Sequence, residues 1–102
     1  MRMDVHTHTV FSDGKASVAE MLGQANGIGM DCVAITDHFD PNDYRPAISG
    51  LDDEGLLMHF DTIHRLAGQY PGMAVLCGVE TTPLTDGTLV LSSQVRENCD
   101  II

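Results

Sequence analysis

His6 and His8 stand one residue apart in a stretch where β-branched and apolar residues are interleaved with polar ones. That alternation predicts a short strand over residues 3–9, and residues i and i+2 of a strand project to the same side. Two imidazoles held one pleat apart can share a metal ion. Five residues past His8, Ser12-Asp13-Gly14 reads as a turn that returns the Asp13 carboxylate towards the same strand end. Nitrogen and oxygen donors together suit Zn, Mn or Fe better than a thiolate-preferring ion. A His-x-His pair alone is equally compatible with packed or hydrogen-bonded rings. Its weight depends on what the other elements bring to the same place.

Ser17-Val18-Ala19-Glu20 has the spacing of a capping box and opens a helix expected over residues 17–28. Val18, Met21, Leu22, Ala25 and Ile28 form its apolar stripe, and Asn26, Gly27 and Gly29 can end it. Residues 31–38 then carry a continuous apolar run, which suits a parallel strand covered on both faces. Residues 39–50, with two prolines and two acids, read as a long loop. Asp52 or Asp53 caps a second helix expected over 53–70, with Leu56, Leu57, Phe60, Ile63 and Ala67 on one face. His59 and His64 flank that face. Packing or solvent contact is the expected role of both, because helices in such folds face away from the strand ends. A third strand over 73–80, a turn at 85–88, a short helix capped by Ser92 or Ser93 and the opening of a fourth strand at 100–102 complete the chain.

At 102 residues this is one domain at most, and short for an enzyme barrel. Fifteen acidic residues against five basic ones argue against a broad nucleic-acid footprint or an anionic membrane surface. An anionic substrate is still compatible, since bound cations reverse the local sign. Cys32, Cys77 and Cys99 show no paired-thiolate motif and fit a reducing cytosol. The metal-ligand stretch begins within six residues of the N-terminus, so no signal peptide is expected, and no apolar run reaches membrane-spanning length.

Strand–helix alternation predicts an α/β fold with a parallel sheet and right-handed crossovers. Functional groups in such folds gather at the carboxyl ends of strands. Here each complete strand ends in donors: His6 and His8, then His38, then Glu80, with Asp13 on the first loop. Three strands out of three make a divalent-metal cluster the better reading.

His6-Thr7-His8-Thr9 with Ser12-Asp13-Gly14, Ile35-Thr36-Asp37-His38 and Gly78-Val79-Glu80 resemble the first three motifs of the PHP (polymerase and histidinol phosphatase) family, in order and over nearly the whole chain. The resemblance implies a distorted (β/α)7 barrel with up to three metal ions that hydrolyses phosphate esters. It implies that His6 and His8 hold a first ion, that Glu80 bridges it to a second, and that Asp13 and His38 hold a third. Asp37 would orient a neighbouring ligand, as carboxylates behind metal sites commonly do. Family members continue with further histidine ligands and a late Asp-x-His motif that residues 1–102 do not contain. The chain is therefore expected to be a single partial PHP domain, the first half of such a barrel, with one well-occupied ion.

In a complete site, two ions would clamp a phosphate ester, lower the pKa of a water and stabilise the leaving oxygen. Lys15 and Arg45 are the basic residues placed to meet a phosphate, although either is as readily an ordinary solvated charge. Thr7, Thr9 and Ser12 read as supports for the first loop. The expected partner is a phosphorylated small molecule or nucleotide. Half a barrel leaves an open inner face and edge, so self-association or completion by a further segment is expected. Three readings stay open: a phosphoesterase completed by other segments, a metal-binding module without turnover like vestigial polymerase-associated domains, and a folding fragment.

Overall fold

Among the described residues, six elements follow one another as strand and helix in alternation. They are β1 (Met3–Thr7), α1 (Val18–Gly27), β2 (Cys32–His38), α2 (Asp53–Ala67), β3 (Ala74–Glu80) and α3 (Ser93–Glu97). The computed structural model describes residues 1–40, 51–89 and 91–102. Arg45 and most of the expected 39–50 loop lie outside the described residues. No described helix is long and apolar enough to cross a membrane.

The strands form one parallel sheet in the order β1-β2-β3. Val33 and Ile35 of β2 and Cys77 and Val79 of β3 are buried together with Val18, Leu22 and Ala25 of α1 and Leu56, Phe60 and Ile63 of α2. Both helices therefore cover one face, as expected. Each fully buried aliphatic or aromatic side chain there contributes roughly 1.5–3 kcal/mol. Pairing of β2 with β3 runs unbroken from Cys32↔Ala74 to His38↔Glu80. Register partners project from the same face, so His38 and Glu80 point together, away from the helices.

β1 departs from simple alternation. Asp4 pairs with Val33 and Thr7 with Ile35, so three steps on β1 oppose two on β2, which is a bulge at Val5–His6. Asp4 and Thr7 border the groove under α1, whereas Val5 and His6 both line the cleft on the opposite face. Without the extra residue, His6 would share the helix-covered side with Asp4. The bulge re-aims the strand's end.

Element ends follow the local chemistry. Ser17 and Glu20 form the reciprocal capping box of α1, and Gly29 takes φ 81 just past its end. Ile28, expected on the apolar stripe, is the C-cap and is 59 % exposed. Its side chain borders the open groove beside Met21 rather than the packed core. Asp52 caps α2 by accepting from the Gly55 amide at 2.8 Å. That helix ends at Ala67, earlier than the expected residue 70, with Gly68 as its C-cap. Ser92 caps α3 through the Val95 amide. Beyond α3, Ile101 makes a parallel bridge to Gly78, the first rung of a fourth strand. A Cβ at position 78 would lie 2.1 Å from the Ile101 carbonyl oxygen, so only glycine admits that approach.

Candidate metal centre

β1 stops at Thr7, short of the expected Thr9, whose own amide is taken by a side chain. Thr9 donates its N–H to Asp37 Oδ1 at 2.6 Å and its hydroxyl to Oδ2 at 2.8 Å. Ser12 Oγ donates to Oδ1 at 2.7 Å and accepts from the His38 amide at 3.2 Å. The Thr9 carbonyl in turn accepts from the Ser12 and Gly14 amides. A Cβ on Gly14 would lie 2.4 Å from the His8 carbonyl oxygen, so glycine lets the loop fold back on the strand it left. Asp13 returns to His8 by this route. Thr7 has a different task from the loop support expected of it: its hydroxyl donates to the Ala34 carbonyl and ties β1 to β2.

At the carboxyl ends of the strands the expected donors come together. His6 Nε2 lies 2.9 Å and His8 Nε2 2.6 Å from Glu80 Oε2, and the two nitrogens are 3.2 Å apart. The other face of the His8 ring meets a second carboxylate, Nδ1 to Asp13 Oδ1 at 2.8 Å. His38 Nε2 is 3.2 Å from Asp13 Oδ2 and 3.6 Å from Glu80 Oε2. Two donor trios result, His6–His8–Glu80 and His8–Asp13–His38, joined through His8. His6 is open to solvent at 62 %, while His8 and His38 are mostly covered.

Two carboxyl groups here, Glu80 and Asp37, are held in their charged form. Partial burial works against ionised Glu80, but the His6 hydrogen bond, the His38 charge and the His8 hydrogen bond outweigh it and lower its pKa. Burial opposes the Asp37 charge more completely. Hydrogen bonds from His59, Ser12 and Thr9 nevertheless hold its carboxyl below the usual carboxylate range.

His59 takes part in a way the sequence did not reveal. From α2, its Nε2 meets Asp37 Oδ2 at 2.9 Å, and its ring stacks on Phe11 with centroids 4.1 Å apart and planes 5° off parallel. His59 approaches none of the clustered donors directly, in keeping with the packing role expected of it, but its packing partner is the carboxylate behind the site. The available signal was Asp37 itself. It follows Val33 and Ile35 on the helix-covered face of β2, where a carboxylate needs donors from the covering layer.

A third group, His64, Cys77 and Asp100, lies on the helix-covered side. Burial, with added repulsion from Asp100 and Cys99, pushes the Cys77 thiol up to about 12. Cys77 is therefore a protonated thiol at neutral pH, donating to the Asn98 carbonyl at 3.2 Å. Lys15 is exposed on the β1–α1 loop. It makes no hydrogen bond or ion pair with the cluster among the described residues.

A cleft of about 340 Å³ opens beside His6 and Glu80, walled by Val5, Thr36 and Ile101. A larger groove, about 460 Å³, lies under α1 among Met21, Ile28, Met30 and Val33, and it is far more apolar. Donor chemistry singles out the smaller one.

The chain is 34 % identical over 99 residues to the DNA polymerase/3′-5′ exonuclease PolX of Bacillus subtilis, covering 97 % of this chain and 17 % of that protein. It is 40 % identical over 70 residues to an uncharacterized protein of Methanocaldococcus jannaschii, covering 67 % of this chain and 32 % of the relative. Among solved structures, a protein of Bifidobacterium adolescentis assigned as a metal-dependent phosphoesterase superposes with a TM-score of 0.59. The identity is 27 %, over 87 % of this chain and 25 % of that one. A two-domain protein of Bacteroides vulgatus with a PHP-like region shares the fold at a TM-score of 0.55 and 22 % identity, over 93 % of this chain and 27 % of its own. The chain thus spans a third or less of the length of each. The model of the PHP domain matches residues 4–100, and with β1, β2 and β3 delivering His6, His8, His38 and Glu80 to one end of a parallel sheet, the chain belongs to the PHP domain family.

Proposed function

We propose that this chain supplies the metal-binding segment of a PHP-type phosphoesterase acting on a phosphorylated small molecule or nucleotide. One observation carries the reading: two imidazole nitrogens and a carboxylate oxygen converge within 3.2 Å of one another at the strand ends. Two neutral rings cannot both satisfy each other and a shared carboxylate oxygen well, but all three atoms can face one cation. Tetrahedral ligands about 2.0–2.2 Å from a zinc ion lie roughly 3.3–3.6 Å apart. A trio spaced 2.6–3.2 Å reaches that arrangement with small side-chain movements. Nitrogen and oxygen donors fit Zn, Mn or Fe.

The residues then divide their work. His6, His8 and Glu80 hold the ion. A neutral imidazole carries one N–H, so His8 donates from Nδ1 to Asp13 and turns its Nε2 lone pair to the metal. Carboxylates commonly fix metal-binding histidines in this way. His38 adds a nitrogen between Asp13 and Glu80. A bound divalent ion supplies Lewis acidity towards a phosphoryl oxygen and lowers the pKa of its water. The phosphoesterase assignment of the Bifidobacterium protein and the exonuclease activity in the PolX name, both concerned with phosphate esters, support this class of substrate.

A second reading, metal binding without turnover, is favoured by the sharing of His8 between the two trios. One ring serving both leaves donors for one firmly held ion. Titration of the metal-free chain with Zn and Mn is expected to show about one ion per chain, abolished by His8→Ala. Hydrolysis of an aryl phosphate should barely exceed that of a His6→Ala control. Absence of stoichiometric binding would overturn the site. Vigorous metal-dependent turnover by residues 1–102 alone would overturn the second reading and leave the first.

A further inference from the structure

The contacts of α2 with the first loop point to a role in metal binding for a residue outside the donor cluster. We infer that His59 is a positioning residue for the metal centre, holding the loop that carries His8 and Asp13 through the Asp37 carboxylate and the Phe11 ring. The inference rests on the metal reading given above.

Asp37 is fully buried and accepts four hydrogen bonds. Thr9 N–H and Ser12 Oγ share Oδ1; Thr9 Oγ1 and His59 Nε2 share Oδ2. A carboxylate has about four acceptor positions, so this one is saturated, and three of its donors belong to the loop between His8 and Asp13. The fourth is His59, only 8 % exposed. Since an ionised carboxylate only accepts, His59 must carry its proton on Nε2. Phe11, stacked flat on the His59 ring, belongs to the same loop.

Loop and helix are thus joined at two points, one polar and one apolar. Neither Thr9 nor Ser12 can fix the carboxylate, because both move with the loop. His59 comes from a helix anchored in the core by Leu56, Phe60 and Ile63. With the Asp37 backbone held in β2, His59 fixes which way the carboxylate turns. Loss of its N–H would leave Oδ2 short of a buried donor, and Asp37 would be free to turn. His8 and Asp13 would then lose their register with Glu80 and His38.

The test compares His59→Leu, which fills space but donates nothing, with His59→Gln, whose amide reaches Asp37 and donates. Co(II) is titrated into each full chain, reading the dissociation constant and the visible absorption band. Hydrogen exchange of the Thr9 amide is followed without metal, and circular dichroism verifies the fold. Removing a group behind a metal ligand typically weakens binding 10- to 100-fold. His59→Leu is expected to bind Co(II) about tenfold more weakly, with an altered band and a faster-exchanging Thr9 amide. His59→Gln should recover most of all three. Should His59→Leu not fold, His59→Asn, whose amide is too short to reach Asp37, makes the same comparison with Gln. A folded Leu or Asn variant with wild-type affinity, band and Thr9 exchange would overturn the role of His59. So would equal losses in the Gln variant. A wild-type chain that takes up no Co(II) would overturn the metal reading instead, and Thr9 exchange would still decide whether His59 holds the loop.

Discussion

Asp37 and Glu80 lie at the ends of neighbouring strands, and histidine nitrogens meet both carboxylates, yet their situations are opposite. Asp37 points to the helix-covered face, is fully buried, and has all its acceptor positions filled by donors of the chain. Glu80 points to the open face with its side chain 40 % exposed, and one oxygen draws three imidazole nitrogens within 3.6 Å. A saturated carboxylate is a structural fastening. A carboxylate crowded by ring nitrogens on an open face is the candidate cation site proposed above. Two adjacent strand ends, one facing the core and one facing away from it, separate these roles by one residue of pleat: Asp37 and His38 are consecutive and project to opposite sides.

The largest expected effect is on the fastening. Asp37→Ala strands the Thr9 amide, the Ser12 hydroxyl and the His59 N–H without their acceptor. Breaking a buried pair of this kind costs about 3–5 kcal/mol, a large fraction of a small domain's stability. Urea denaturation should show that loss, with metal affinity falling as well. A stability within about 0.5 kcal/mol of wild type, the range of ordinary surface substitutions, would mean that the Asp37 network holds nothing together.

Glu80→Gln should reverse the pattern. The amide retains the shape but presents a poor ligand, and affinity for Zn or Mn should fall at least about 100-fold, beyond what removal of a group behind a ligand costs. Stability without metal should change by no more than about 0.5 kcal/mol, because the side chain is half open to water. Equal stability losses in Asp37→Ala and Glu80→Gln would erase the distinction drawn between them.

Much of this arrangement was legible in the sequence, and for physical reasons. Strand–helix alternation, the Ser17–Glu20 capping box and donors at three strand ends are local patterns that short-range chemistry enforces. The placement of His6, His8, Asp13, His38 and Glu80 led to the expectation that they gather at one end of the sheet, and their side chains do converge there. What stayed hidden depends on tertiary packing. The bulge at Val5–His6 leaves no mark in an alternating stretch, although without it the His6 side chain would face α1. Reading residues 3–9 as a plain strand gave the right pairing of His6 with His8 and could not say which face they shared. His59 stayed hidden because a helix face was judged by its apolar stripe alone. A histidine flanking that stripe is silent until the buried acid opposite it is considered. Ile28 shows the converse error, an apolar residue that periodicity placed in the core and that the open groove under α1 leaves 59 % exposed.

The smallest effect, and the one that separates the two carboxylates most finely, is their response to acid and salt. Both have folded-state pKa values below their ordinary ones. For a carboxylate of this kind the stabilisation is full above the unfolded value, about 4, and disappears as pH falls through the lower folded value. The stability gap between wild type and Asp37→Asn should therefore be constant from pH 7 to about 5 and close as pH falls through the lowered folded value. The corresponding gap for Glu80→Gln is small to begin with. It depends on exposed charges, and in 1 M salt, where the screening length is about 3 Å, it should vanish. The Asp37 gap should survive that salt, since four short hydrogen bonds inside the protein are not screened by ions that cannot reach them. Urea midpoints at pH 6 with and without salt, then at descending pH, measure all of this on metal-free protein. A salt-sensitive Asp37 gap would show that water reaches the carboxylate, and the contrast between a sealed fastening and an open cation site would fall.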